Sequence, residues 1–313
     1  MWNPAPSLHS SVMNRCSAPL NASADLSVFT ARTSLGPLQF VGRDSGMRPP
    51  LTDIVTHKMK KTGYWEISDA DEVRWLTNAA EWPKSLNLRR DSGRRGLFID
   101  LAAHVGWYSF LFAQANYSVL AIEPLAANRR AIAATSCLNP ELASRITLVP
   151  KAISDQTRAQ PCEVWTGKGA DGNGVLDCDN AAAQPCARKC KSATQCVCEA
   201  VSLTTLDRVL TRHVPLRDAY DLIIAKFDME GSECAALRGG QSIFERLHVD
   251  LLQFEGKGKQ VISCMQENAA RHGYTMGDRT GHDQNRAMWP DQNRNRAKQG
   301  ALGFRARVLR RPK

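Results

Sequence analysis

From Leu97 to Phe254 the chain alternates short apolar runs with longer segments whose apolar residues recur at helical spacing. The runs Leu97 to Leu101, Val119 to Ile122, Ile146 to Val149, Asp221 to Phe227 and Val249 to Phe254 are too short for helices and read as strands. Trp107 to Ala115, Leu125 to Cys137, Ser232 to Gly239 and Gly258 to His272 carry the helical period. Strand and helix in alternation predict an α/β fold with a mostly parallel, Rossmann-like sheet and crossover helices on its faces. A last antiparallel strand is expected near Gly303 to Leu309.

The periodicity divides the chain further. Residues 1–50, with Pro4, Pro6, Pro19, Pro37, Pro49 and Pro50, read as an irregular leader, and it lacks the charged start and apolar run of a secretory signal. Residues 51–95 read as a cap segment, with Val73, Trp75 and Leu76 on a helical or mixed stretch and Trp65 and Trp82 as packing anchors. Residues 96–277 form the expected catalytic domain, and 278–313 a basic extension. Residues 155–200 interrupt the domain with a polar, Gly- and Cys-rich insertion, ahead of a helix opened by Thr204 or Thr205. A structureless loop of that length is unusual in a compact domain, so a hairpin, crosslinks or a substrate-covering lid is expected there.

Composition narrows the class. In 313 residues, 43% hydrophobic and 23% charged positions suit a globular protein and argue against a disordered or fibrous one. No run reaches the roughly 18 to 20 apolar residues of a membrane-spanning helix, since Asp100, His104 and Gln114 break the best candidate. The net charge of +10 is uneven, because Arg286, Arg294, Arg296, Lys298, Arg305, Arg307, Arg310, Arg311 and Lys313 face Asp291 alone near the C-terminus. Such a run reads as a solvated tail, or as a grip on nucleic-acid phosphates or an anionic membrane surface.

The candidate chemistry sits where open parallel sheets bind ligands, outside the carboxyl ends of the strands. Asp100 closes the first strand, and Ala102 to Gly106 make a turn of small residues before a helix whose first N–H groups are free. A dinucleotide site carries three glycines, and here only Gly106 remains. A smaller ligand with an amino-acid tail fits better: Asp100 can hold an ammonium, and Glu123 at the tip of the second strand can accept both hydroxyls of a ribose. Adenosine with an amino-acid tail describes S-adenosylmethionine.

Phe98 to Ser109, Ile122-Glu123-Pro124 with Asn128, Ala152-Ile153-Ser154-Asp155, Ser202 to Asp207, and Lys226-Phe227-Asp228-Met229-Glu230-Gly231-Ser232-Glu233 followed by Leu237 to Gly240 stand in order. Together, over roughly Leu97 to Gly277, they resemble the FkbM family of methyltransferases. The resemblance implies a Rossmann-like class I methyltransferase fold, S-adenosylmethionine as donor, and O-methylation of a hydroxyl on a small molecule or glycan. It assigns Asp100, Ala102, His104 and Gly106 to the methionine part of the cofactor, Glu123 to the ribose, Asn128 to the ribose-side loop and Asp155 to the adenine side. Asp228 and Glu230 fall at the strand tip facing the transferred methyl. The chain departs from the family pattern where Ala102 replaces glycine and His104 replaces asparagine.

Methyl transfer is an in-line displacement, so the protein supplies alignment and a base for the acceptor hydroxyl. Asp228 is the candidate base, its alternative role being to cap the following helix at Gly231 and Ser232. Glu230 reads as more structural, and Glu255 is a weaker substrate-side candidate. No histidine cluster joins these acids, so no metal is assigned. Cys162, Cys178, Cys186, Cys190, Cys196 and Cys198 crowd the insertion, open to disulfides, to zinc through the Cys186 and Cys190 spacing, or to free thiols. With the sequons at Asn21 and Asn116 they favour a lumenal or secreted setting, against which stands the missing signal. Competing readings are a binding module of the same fold without turnover, motivated by Ala102 and His104, and a nucleic-acid methyltransferase, motivated by the basic tail. The oligomeric state has no signature in the sequence.

Overall fold

The computed structural model describes residues 25–43, 53–67, 95–167, 174–178, 196–214, 217–277 and 285–291. An antiparallel hairpin of β1 (Leu26–Thr33) and β2 (Gly36–Arg43) precedes α1 (Ile54–Thr62). Then follow β3 (Gly96–Leu101), α2 (Trp107–Gln114), β4 (Tyr117–Ile122), α3 (Ala126–Leu138), α4 (Pro140–Ala143), β5 (Ile146–Val149) and β6 (Ala152–Ser154). The insertion supplies β7 (Cys162–Gly167), β8 (Val175–Asp177) and β9 (Cys196–Val201). The chain continues with β10 (Leu203–Thr205), α5 (Leu206–His213), β11 (Leu222–Phe227), α6 (Glu233–Arg238), α7 (Ser242–Glu245), β12 (Leu251–Glu255), α8 (Lys259–His272), β13 (Tyr274–Met276) and β14 (Asn285–Pro290).

Seven strands make the main sheet in the order β13-β14-β12-β11-β3-β4-β5. The five strands from β12 to β5 are parallel, whereas β14 runs antiparallel to both β12 and β13. Every residue of β3 and β11 is buried, as expected of central parallel strands covered on both faces. On one face Phe98, Val119 and Ile224 pack with α2, α1 and the hairpin. On the other, Ile99, Leu120, Ile223 and Phe227 pack with α5, α6, α7 and α8. Strand order reverses between β3 and β11, which places a crevice at their carboxyl ends. This is the Rossmann-like α/β architecture expected from the alternation of apolar runs.

One expectation changes, one falls outside the described residues and one is met. The leader is not irregular throughout: residues 26–43 form the β1–β2 hairpin, and Phe40, fully buried, meets Trp107 and Phe110 edge-on at 5.8 and 6.0 Å. Burying one such ring contributes roughly 1.5–3 kcal/mol, enough to hold the hairpin on α2. The antiparallel edge is built by β13 and β14, while Gly303 to Leu309 lies outside the described residues, as do Val73, Trp75, Leu76 and Trp82. The described residues of the insertion form a three-stranded antiparallel sheet, β8-β7-β9, with a Cys162–Cys178 disulfide. Cys137 and Cys198 each belong to a further disulfide, which removes Cys198 from any zinc site, and Cys234–Cys264 joins α6 to α8. Cys186 and Cys190 lie outside the described residues.

Candidate functional site

The loop after β3 turns three times through left-handed backbone, at Ala102 (φ 62°), His104 (φ 53°) and Gly106 (φ 88°). A side chain at Gly106 would sit 3.0 Å from Ile132, so glycine there answers both the angle and the packing of α2 against α3. Ala102 takes its angle with a Cβ, a conformation that costs an L-residue roughly 1–2 kcal/mol. The loop is held from β4: Glu123 Oε2 accepts from the His104 N–H at 2.8 Å, and Oε1 accepts from the Leu125 N–H at 2.8 Å and Asn128 Nδ2 at 3.3 Å. Asn128 Oδ1 accepts in turn from Arg43 Nη1 at 3.2 Å, which ties the N-terminal hairpin to the same carboxylate. Burial pushes the Glu123 carboxyl up to about 7, against these hydrogen bonds and the charge of Arg129.

Two cavities meet at this loop. The first, about 630 Å³, is lined mainly by apolar side chains, among them Leu101, Ile122, Leu125, Ile153, Val164 and Leu176, with Glu123 and Asn128 as polar anchors. The second, about 890 Å³, is polar and acidic: Glu66, Asp100, Asp228, Glu230 and Glu255 line it with Trp65, Tyr108 and Lys226. Ala102, His104, Asp228 and Glu230 border both.

Across the sheet Asp100 pairs in register with Lys226, so both side chains leave on one face. Asp100 is buried and accepts from Ser109 Oγ at 2.6 Å; burial pushes its carboxyl up, against the charge of Lys226 and the hydroxyl. Lys226 Nζ donates to Asp228 Oδ2 at 2.6 Å and lies 4.8 Å from the centre of the Tyr108 ring. Burial would lower the Lys226 ammonium, but Asp228 and Asp100 outweigh it and the group is raised. Burial likewise opposes ionisation of Asp228, yet the charge and hydrogen bond of Lys226, with His104 and Lys257 beyond, hold its carboxyl below the usual range. Tyr108 donates to Glu66, and burial followed by that carboxylate drives the phenol well above its ordinary value.

Asp228 does not cap the following turn. That work falls to Glu233, whose Oε1 accepts from the Met229 N–H at 2.9 Å and the Gly231 N–H at 3.2 Å. Glu230, with φ 55°, takes an ion pair from Lys257. Carboxylate oxygens of Asp228, Glu230 and Glu255 lie within 4.8 Å of one another, a spacing open to a divalent cation. Burial first, then the charges of Asp228 and Glu230, push the Glu255 carboxyl up to about 7 despite Lys257. His104 Nε2 lies 3.4 Å from Oδ1 of Asp53, the N-cap of α1. Of the residues singled out in the sequence, Gly106 and Asp155 line neither cavity: Gly106 turns the loop into α2, and Asp155 pairs with Arg238 at 3.2 Å, where Lys151, Ala152 and Ile153 hold its expected place.

Sequence reasoning passed over Lys226, although a lysine inside the run Leu222 to Phe227, two residues before an acid, carries its own signal. Glu66 and Asp53 come from elements whose approach to the loop no local pattern announces.

The Methyltransferase FkbM domain matches residues 100–275. The chain belongs to the FkbM methyltransferase family. Among solved structures it is similar to the FkbM methyltransferase of Methylobacillus flagellatus KT, with 15% identity over 68% of this chain and 48% of that one and a TM-score of 0.43. It therefore spans about half the length of that relative. Two others are a SAM-dependent methyltransferase from Agrobacterium tumefaciens (11% identity, 85% and 70% coverage, TM-score 0.39) and the ribosomal protein L11 methylase of Lactobacillus delbrueckii subsp. bulgaricus (12%, 65% and 74%, 0.35). Comparison with curated proteins finds no match. No helix among the described residues is long and apolar enough to cross a membrane.

Proposed function

We propose that the protein is an S-adenosylmethionine-dependent O-methyltransferase acting on a hydroxyl of a small molecule or glycan. The observation that carries the reading is the junction of an apolar cavity anchored by Glu123 with an acidic one lined by Asp228 and Glu255. The donor set fits the cofactor: a buried carboxylate at the tip of β4 suits two ribose hydroxyls, and Leu101, Ile122, Leu125 and Ile153 offer apolar walls for an adenine. Ala102, His104 and Gly106 turn the chain beside Asp100 where an amino-acid tail would lie. When bound, S-adenosylmethionine supplies an electrophilic methyl on a sulfonium.

The chain's own residues do the rest. Asp228, kept ionised by Lys226, accepts a hydrogen bond from the acceptor hydroxyl and fixes its direction. A carboxylate held below the usual range is a poor proton acceptor, so Asp228 becomes the orienting group. Glu255, near 7 and lining the same cavity, takes the hydroxyl proton. Glu230, paired with Lys257, shapes the passage between the cavities. Lys226 and Lys257 already give Asp228 and Glu230 cationic partners, which favours a reaction without a divalent cation. Asp155, bound to Arg238 at the surface, is not assigned to the cofactor in this reading.

Calorimetry with S-adenosylhomocysteine tests the cofactor half, and transfer of labelled methyl from S-adenosylmethionine to a panel of sugars and phenols tests the rest. Saturable binding with loss on Glu123→Ala is the expected result. A folded protein that binds neither nucleoside would sink the reading.

A further inference from the structure

The insertion sheet lies over the apolar cavity and reaches the start of α3 through one carboxylate. In β7, Val164 pairs with Leu176 of β8 on one side and with Glu199 of β9 on the other, so the three side chains share a face. Val164 and Leu176 line the cavity together with Gly174. Glu199 reaches past it to the start of α3, where Oε2 accepts from the Ala126 N–H at 2.6 Å and Oε1 from the Ala127 N–H at 3.4 Å. The helix needs this group, because Leu125 at its N-cap has no side-chain oxygen to offer and no residue of α3's first turn is acidic. The same turn presents Leu125, whose N–H is held by Glu123 and whose side chain lines the cavity. Beneath the sheet, Leu125, Ala152, Cys162, Val164, Val201 and Leu203 form a separate small core, with Leu176 and Cys178 at its edge.

We propose that Glu199 is a positioning residue for the cofactor, a latch that seats the insertion sheet on α3 and keeps Val164 and Leu176 over the adenine end of the cavity. The inference rests on the cofactor placement given above. Glu199 does not itself line the cavity; it acts through the helix start and through its strand neighbour Val164. The disulfide Cys162–Cys178 and the latch bind the sheet at different places: the first joins β7 to the end of β8, the second joins β9 to the body of the domain. Without the latch the sheet keeps its strands and the small core beneath it, and loses the polar tie that sets its position against α3.

The experiment is calorimetric titration of the full chain with S-adenosylhomocysteine for wild type, Glu199→Ala, Glu199→Gln and Leu176→Ala, with the melting temperature of each recorded. Glu199→Ala is expected to weaken binding about tenfold. Glu199→Gln keeps an oxygen that accepts from the Ala126 N–H and is expected to stay within about threefold of wild type. Leu176→Ala trims the roof without touching the latch and should also weaken binding. A lower melting temperature for Glu199→Ala with unchanged affinity would reduce the residue to a helix cap and overturn the proposal. So would equal losses in the Ala and Gln variants. If Glu199→Ala does not fold, unchanged affinity in Leu176→Ala removes the roof and with it the proposal. Failure of wild type to bind strikes the cofactor placement itself and is distinguishable from all of these.

Discussion

Ala102 sits where a glycine would adopt the same left-handed angle without strain. Substituting glycine relieves roughly 1 kcal/mol of backbone cost but adds a similar entropy to the unfolded chain, so stability should change by less than about 1 kcal/mol. The effect should appear in binding instead. Without the Cβ at the border of both cavities, affinity for S-adenosylhomocysteine is expected to tighten roughly fivefold, read by calorimetry. An unchanged constant would mean that the methyl does not touch the ligand. Glu255 gives the second test at this scale. With its carboxyl near 7, the base form accumulates as pH rises, so kcat should climb between pH 6 and 8 and then level. Glu255→Gln should remove that rise; a wild-type slope in the variant would return the proton to another group. Glu123 gives a stability test, since its folded value of about 7 exceeds the ordinary 4.5. The folded state then holds the extra proton between those values, so stability falls as pH rises through that window, by about 3 kcal/mol at most. Comparing melting temperature against pH in wild type and Glu123→Gln isolates this slope, which the variant should lose.

At the scale of elements, the parallel strands were legible because their burial is complete: Gly96–Leu101 and Leu222–Phe227 are apolar apart from Asp100 and Lys226, as a sheet covered on both faces requires. Asp100, Glu123 and Asp228 were legible for the same reason, as acids placed at the ends of apolar strands. The hairpin was not, because Leu26–Thr33 alternates only loosely, with exposed Val28 and half-buried Phe29. Its partner is α2, about seventy residues away, and no local period announces a contact of that kind. Asp155 shows the converse: its motif stands in order, yet a single turn after β6 carries the side chain to Arg238. The bond between α6 and α8 is a further property of elements. Cys234 and Cys264 are 30 residues apart, and replacing both by alanine should cost about 3.5 kcal/mol through loop entropy. A melting temperature lower by on the order of 10 °C is the expected outcome, with a drop at least as large in wild type under dithiothreitol, which also opens Cys162–Cys178.

For the molecule as a whole, the family match and the strand order place the candidate site at the carboxyl ends of the central strands of a seven-stranded sheet. A ligand that binds only the folded state must stabilise all of it. At one hundred times its dissociation constant, S-adenosylhomocysteine should raise stability by about 2.7 kcal/mol, visible as a shift in the melting curve that Glu123→Ala abolishes. The hairpin gives this scale its last consequence. The stretch recognisable by kinship runs from 100 to 275, but Arg43 holds Asn128, the Val41 N–H donates to Thr135 Oγ1 at 2.9 Å, and Phe40 fills the face of α2. Where ancestry can be read and where the chain can be cut are thus different boundaries. A fragment trimmed to the recognisable stretch would carry an uncovered aromatic patch and a slackened ribose carboxylate, and would precipitate before it could be assayed.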